Sequence, residues 1–168
     1  MVIDLLSDRI DVAIRAGPLK SSSLVPKKLG ETALTIVAAP FYLERCGTPR
    51  TIADLDKHNC LGFGYTRSTN GWLLLESGQS TVVPPTGRVQ ASDGEALRHL
   101  ARSGVGLARL AHFTVQEDIG AGRLVPVLDH LNPGDREEFH AVYVGQQGPM
   151  PSRVRVLLDF LAEYCRIP

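Results

Sequence analysis

The chain has 168 residues, 43% of them hydrophobic and 21% charged, with a formal net charge of zero. That size and composition suit one compact domain or two small lobes of a soluble globular protein. Balanced charge argues against a nucleic-acid binder, which needs surplus Lys and Arg against phosphates. No apolar run is long enough to span a bilayer, and no secretory signal opens the chain. The three cysteines, Cys46, Cys60 and Cys165, are far apart and odd in number. They suit neither a disulfide framework nor a zinc knuckle, and a reducing cytoplasm is the expected compartment.

Leu5 and Leu6 fall in a short helical turn. Ile10, Val12 and Ile14 then alternate with Asp11, Ala13 and Arg15, the period of a strand. This strand ends in a Gly17-Pro18 turn just after Arg15. Ligands of open α/β sheets sit off the carboxyl ends of strands, so Arg15, Gly17 and Pro18 form a candidate ligand edge. The plain alternative is a surface turn with a solvated arginine. Residues 34–39 read as a strand, and Pro40 opens a short helix that Gly47 closes. Thr51 and Asp54 have the spacing of a capping box. Residues 61–65 read as a short strand whose glycines allow close backbone approach.

Residues 72–75 and 80–83 read as a hairpin about Ser77-Gly78. A short strand follows at 88–90. Ser92 or Asp93 caps a helix through Ala101, with Gly104 as its stop. Residues 105–110 form a strand, 112–119 a helix and 124–128 an extended segment. A turn at 132–135 leads to a strand over 138–144. The last element is a helix with Ser152 as expected N-cap and an apolar stripe of Val154, Leu157, Leu158 and Leu161. Alternating strands and helices predict an α/β fold with mainly parallel pairing.

Motifs for catalysis are missing. There is no G-x-S-x-G, no P-loop and no H-E-x-x-H. Gly62-Phe63-Gly64 lacks the third glycine of a dinucleotide site. The five histidines make no pair at metal-ligand spacing. Glu117-Asp118 and Glu137-Glu138 read as solvated faces rather than an acid/base couple. No metal or cofactor is expected, and no enzyme activity. The remaining positions that could line a ligand site are Phe63, Tyr65 and Thr66; Ser92 and Asp93; and His112 and Phe113. A helix start there offers free N–H groups to an anion. The competing readings are plain capping for Ser92 and Asp93, and core packing for Phe63 and Phe113.

Several segments, taken in order and spacing, resemble one family. They are residues 4–15 (DLLSDRIDVAIR), 37–43 (VAAPFYL) with 47–49 (GTP), Asp54-Leu55 with 58–61 (HNCL), 104–110 (GVGLARL), 121–125 (AGRLV) and 154–161 (VRVLLDFL). Together they resemble the effector-binding region of LysR-type transcriptional regulators, from Ile3 to Ala162. The resemblance implies a type 2 periplasmic-binding-protein-like fold, two α/β lobes around a cleft that holds a small effector. The first lobe would comprise 1–59 plus 141–168, and the second 60–140. Arg15, Gly17 and Pro18 would line the first-lobe side, and Phe63, Tyr65, Thr66, Ser92, Asp93, His112 and Phe113 the second. Arg15 hints at a carboxylate effector, because guanidinium pairs with carboxylates bidentately.

The match starts in what resembles the middle of the first lobe. The winged helix-turn-helix and the first β-α-β unit of that lobe are therefore expected to be missing. The strand at residues 10–14 would then lose its neighbours and become an exposed edge. The family implies a cytoplasmic homo-oligomer that touches DNA only through its N-terminal domain. Two rivals remain: a stand-alone solute-binding protein of the same fold, disfavoured by the missing signal, and an enzyme on the same plan, disfavoured by the lack of a catalytic constellation.

Overall fold

The computed structural model describes residues 10–19, 24–65, 71–145, 150–165 and 167. The expected helical turn at Leu5-Leu6 lies outside them. The chain divides into two compact units, 1–32 with 136–168, and 33–135. The sequence reading put the divide at 59 and 141 instead.

In the first unit, β1 (Val12–Ala16) pairs antiparallel with β9 (Arg136–Val144), from Val12 opposite Tyr143 to Ala16 opposite Phe139. β9 in turn neighbours β2 (Leu24–Ala38). The expectation that the first strand loses its neighbours is thus corrected, since β9 covers one of its edges along all five residues. Residues facing one another across the pair share a side of the sheet. Val12, Ala141 and Tyr143 pack with Leu29 under α4 (Ser152–Tyr164), whose Val154, Leu158 and Leu161 complete this core. The i, i+4, i+7 spacing places those three on one helix face. Leu157, expected in the same stripe, is 42% exposed. The N-cap is Pro151 rather than Ser152, and no side chain caps this helix.

The second unit starts where β2 continues. β2 pairs antiparallel with β7 (Leu107–Ala111) and with β8 (Val125–Val127). β3 (Cys60–Phe63) lies parallel to β7 on one side and to β6 (Gln90–Ala91) on the other. β4 (Trp72–Glu76) and β5 (Gln79–Val83) form a hairpin about Ser77-Gly78 as expected. The prediction of mainly parallel pairing is overturned, because β1–β9, β2–β7, β2–β8 and β4–β5 pair antiparallel, against the two parallel pairings of β3. Alternating helices and strands do not force parallel ladders when a strand as long as β2 returns the chain direction.

Pro40 opens α1 (Pro40–Cys46), and Thr51 and Asp54 cap the 3-10 turn at Ala53–Lys57 reciprocally. Two apolar clusters fill the unit. One gathers Ile36, Tyr42, Leu55, Trp72 and Leu74, and the other Val37, Leu61, Leu97, Leu110 and Val115 under α2 (Gly94–Arg102) and α3 (His112–Gly120). Each of the fully buried leucines contributes about 2 kcal/mol by leaving water.

Asn59 braces the joint between these parts. Its backbone N–H donates to the Tyr42 hydroxyl at 3.1 Å, and its amide donates to the Val105 carbonyl at 2.7 Å. Its side-chain oxygen accepts from Arg88 N–H at 2.7 Å, and its carbonyl accepts from Leu107 N–H at 2.9 Å. One residue thereby fixes α1, β3, β7 and the approach to β6.

Asp118 corrects another expectation. It is fully buried rather than solvated. Its Oδ2 accepts from Arg98 Nε at 2.6 Å, its Oδ1 accepts from Arg123 Nε, and Arg102 Nε stands 3.5 Å away. Arg98 also pairs with Glu95. The clamp ties α2 to α3. Burial alone would raise the Asp118 carboxyl, but the Arg123 and Arg98 hydrogen bonds outweigh it and hold the group below the usual carboxylate range.

Candidate functional site

β6, β3 and β7 run parallel, so their carboxyl ends share one edge of the second unit. Three short segments leave that edge. Phe63 ends β3 and Gly64 and Tyr65 follow it, Ser92 and Asp93 follow β6, and His112 and Phe113 follow β7. Gly64 N–H donates to the Ala91 carbonyl at 2.9 Å and fastens the first segment to the second. Gly62 is needed one step earlier, because a Cβ there would stand 2.8 Å from the Pro85 ring. The Phe63 and Tyr65 rings meet at 5.6 Å between centroids. Phe63 also packs against the core under α2, so its apolar-packing reading holds alongside any other.

Asp93 is the N-cap of α2. Its Oδ1 accepts from Ala96 N–H at 2.8 Å and its Oδ2 accepts from the Ser92 hydroxyl at 2.9 Å. These bonds, Ala96 N–H foremost, hold its carboxyl below the ordinary value. The first turn of α2 therefore already carries a negative charge. α3 differs. No side chain caps its start, and no acid stands in its first turn. His112 is its first residue and is exposed, while Phe113 is half-buried. Thr66 lies outside the described residues.

Arg15, Gly17 and Pro18 belong to the first unit. Arg15 faces His140 across the β1–β9 pair, and Gly17 N–H donates to the Glu138 carbonyl at 2.9 Å, closing the turn after β1. The structure thus brings together six of the ten sequence-predicted residues at one edge and three on the other unit. His140 escaped sequence reasoning. It shares its side of β9 with Val142 and Val144, is only 8% exposed, and its Nδ1 has no hydrogen-bond partner among the described residues.

No cysteine described here is in a disulfide. Burial pushes the Cys60 thiol up to about 11, so little thiolate exists near neutrality. Cys46 is exposed. In timed alkylation read by mass spectrometry, Cys46 is expected to react at least about a hundredfold faster than Cys60. Comparable rates would mean that β3 opens readily.

Strand ends and helix starts along one edge are the general ligand-binding arrangement of α/β domains, and the relatives of this chain place it in the periplasmic-binding-protein-like class. The LysR substrate binding domain family model matches residues 1–166. The HTH-type transcriptional regulator CrgA of Neisseria meningitidis serogroup C (strain 8013) is 38% identical over 162 residues, 96% of this chain and 53% of CrgA. The HTH-type transcriptional activator AaeR of Escherichia coli (strain K12) is 31% identical over 161 residues, 96% of this chain and 52% of AaeR. Among solved structures, the CrgA regulatory domain matches with a TM-score of 0.84 at 36% identity, covering 95% of this chain and 78% of that one. Full-length AphB of Vibrio cholerae matches with a TM-score of 0.76 at 30% identity, covering 98% of this chain and 55% of that one. The chain belongs to the LysR substrate-binding domain family and corresponds to the regulatory, effector-binding part of LysR-type regulators. It spans about half the length of the curated relatives it matches.

Proposed function

We propose that this chain senses a small organic acid for a cytoplasmic, homo-oligomeric transcription regulator, and that it catalyses no reaction. The observation that carries this reading is the convergence of Phe63, Tyr65, Ser92, Asp93, His112 and Phe113 at the carboxyl ends of three parallel-paired strands. The uncapped start of α3 favours an anion, because its N–H groups and helix dipole present positive charge. α2 is less suited, since Asp93 already fills that role. The aromatic pair Phe63–Tyr65, at the end of β3, supplies an apolar surface on the same strand edge. Arg15, Gly17 and Pro18 are proposed as further effector contacts, with the Arg15 guanidinium suited to a carboxylate. DNA contact is assigned to the part of the regulator outside this chain, whose own formal charge is zero.

A thermal-shift screen of organic acids tests the reading, with His112→Asp as the decisive variant. An acid at the start of α3 is expected to leave stability unchanged or slightly raised, because it complements the helix dipole. The same charge is expected to weaken binding of an anionic effector about tenfold. Acids that shift neither protein, or shift both equally, overturn the assignment. In a gel-shift assay the chain is expected not to retard promoter DNA, and salt-dependent, sequence-specific retardation would contradict the division of labour.

A further inference from the structure

His58 stands just ahead of β3, and its ring meets that of Tyr42 on α1 with 5.7 Å between centroids. The Tyr42 hydroxyl lies 3.1 Å from His58 Nδ1 and accepts from Asn59 N–H, also at 3.1 Å. A phenol has one proton to give. Asn59 N–H can only donate, so the Tyr42 proton is free for His58 when Nδ1 offers a lone pair. Donors then run in one direction, from Asn59 N–H to Tyr42 O–H to His58 Nδ1, with the imidazole neutral and its proton on Nε2. Tyr42 is buried and His58 half-buried. Among the described residues, charged and titratable groups reach this pair from three elements. α1 brings the Cys46 thiol and Arg45, whose guanidinium stands 5.7 Å from the Tyr42 ring centroid. The 3-10 turn brings Asp54 and Lys57, and β3 brings the Cys60 thiol.

A second proton on the ring occupies Nδ1, and Tyr42 O–H then faces an N–H instead of a lone pair. The hydroxyl must turn its proton away, toward the weaker sulfur acceptor of Cys46. We propose that His58 is a proton-operated latch on the joint between α1 and β3: neutral, it holds the Tyr42 hydroxyl on Asn59; protonated, it releases that hydroxyl and loosens the start of β3. Asn59 also binds Val105, Leu107 and Arg88, so the loosening reaches β7 and the approach to β6. β3 itself ends at Phe63, on the candidate edge. Burial foremost holds the imidazole below its ordinary value, with Asp54 opposing and Lys57 adding to the effect. Between that lowered value and the ordinary one, about 6.5, the unfolded chain binds more protons than the folded one. The stabilisation is therefore fully present above about pH 6.5 and is lost as pH falls toward the folded value. Mild acid weakens this joint whichever effector is bound, so the latch stands apart from the effector reading.

Hydrogen exchange of the Asn59 amide tests the latch on the whole chain. Its protection factor, referred to the intrinsic exchange rate at each pH, is expected to fall about fivefold from about pH 7.5 to about pH 5, the effect of losing one ordinary hydrogen bond. His58→Gln keeps a polar side chain that takes no proton, and its Asn59 profile is expected to be flat over the same range. Tyr42→Phe removes the hydroxyl, so Asn59 protection is expected to be about fivefold lower already at neutral pH, and equally flat. The His58 ring, assigned in the NMR spectrum by its disappearance in His58→Gln, is expected to titrate with the same midpoint as the Asn59 profile of the unsubstituted chain. A flat profile in the unsubstituted chain overturns the proposal. A fall that persists in either variant shows that another group drives it, and overturns the role of His58. Midpoints more than about one pH unit apart do the same.

Discussion

Replacing Asp118 by alanine is expected to lower stability by about 3 kcal/mol, read as a shift of the urea midpoint. The carboxylate is fully buried and accepts from Arg98 and Arg123, with Arg102 close by. Removing it strands three guanidinium groups around a hole. Arg123 and Arg102 can relax partly into water, since their side chains are 45% and 33% exposed, whereas Arg98 at 16% cannot. That difference keeps the expected loss at the lower end for a broken buried pair. The pH dependence follows from the depressed carboxyl. A group whose folded pKa is lowered stabilises the protein above its unfolded value, about pH 4, and the contribution fades as pH falls through the folded pKa. Asp118→Asn is therefore expected to flatten the acid limb of the stability profile as well as lower its plateau. A loss under about 1 kcal/mol with an unchanged acid limb would show that the clamp is not a determinant of stability.

Gly106→Ala is expected to cost a similar amount, about 3 kcal/mol, for a different reason. A Cβ at Gly106 would stand 2.0 Å from the Asn59 carbonyl oxygen and 3.0 Å from its carbon. Those are backbone atoms, so no side-chain rotation relieves the clash. The oxygen also accepts from Leu107 N–H at 2.9 Å, and separating the segments strains that bond. The brace at Asn59 transmits the displacement to α1 and to the approach to β6. Gly120→Ala is the control, because nothing lies within 4 Å of a Cβ there. It is expected to change stability by no more than about 1 kcal/mol. Equal effects of the two changes would remove the steric argument.

The elements that local chemistry dictates were legible in the sequence. Pro40 and Gly47 bound α1, Ser77-Gly78 turns the hairpin, and Asp93 caps α2, each because one residue type suits one backbone position. What failed were properties set at a distance. β2 runs for 15 residues, but Pro26, Lys27, Lys28 and Gly30 interrupt its apolar period, so only its second half reads as a strand. Asp118 looks like half of an acidic surface pair. Its burial needs Arg98 and Arg102, at i and i+4 on another helix, to arrive against it. The six candidate residues of the second unit were named because each ends or follows a strand that can be read locally. The burial of His140 was not legible, because alternation along β9 says which residues share a side and not which side is covered.

β2 and β9 carry a consequence for synthesis on the ribosome. The second unit is continuous in the chain, 33–135, whereas the first is assembled from its two ends. β1 leaves the exit tunnel long before its partner β9 has been translated. During that interval the second unit can fold by itself and draw residues 32 and 136 together. Doing so closes a loop of about 100 residues whose entropy would otherwise oppose the β1–β9 pairing by about 4 kcal/mol. The order of emergence then becomes a schedule. Slow codons ahead of residue 136 would favour the nascent chain, and a change that delays the second unit, such as Gly106→Ala, would leave β1 waiting with an unsatisfied edge open to chaperones and to other nascent chains.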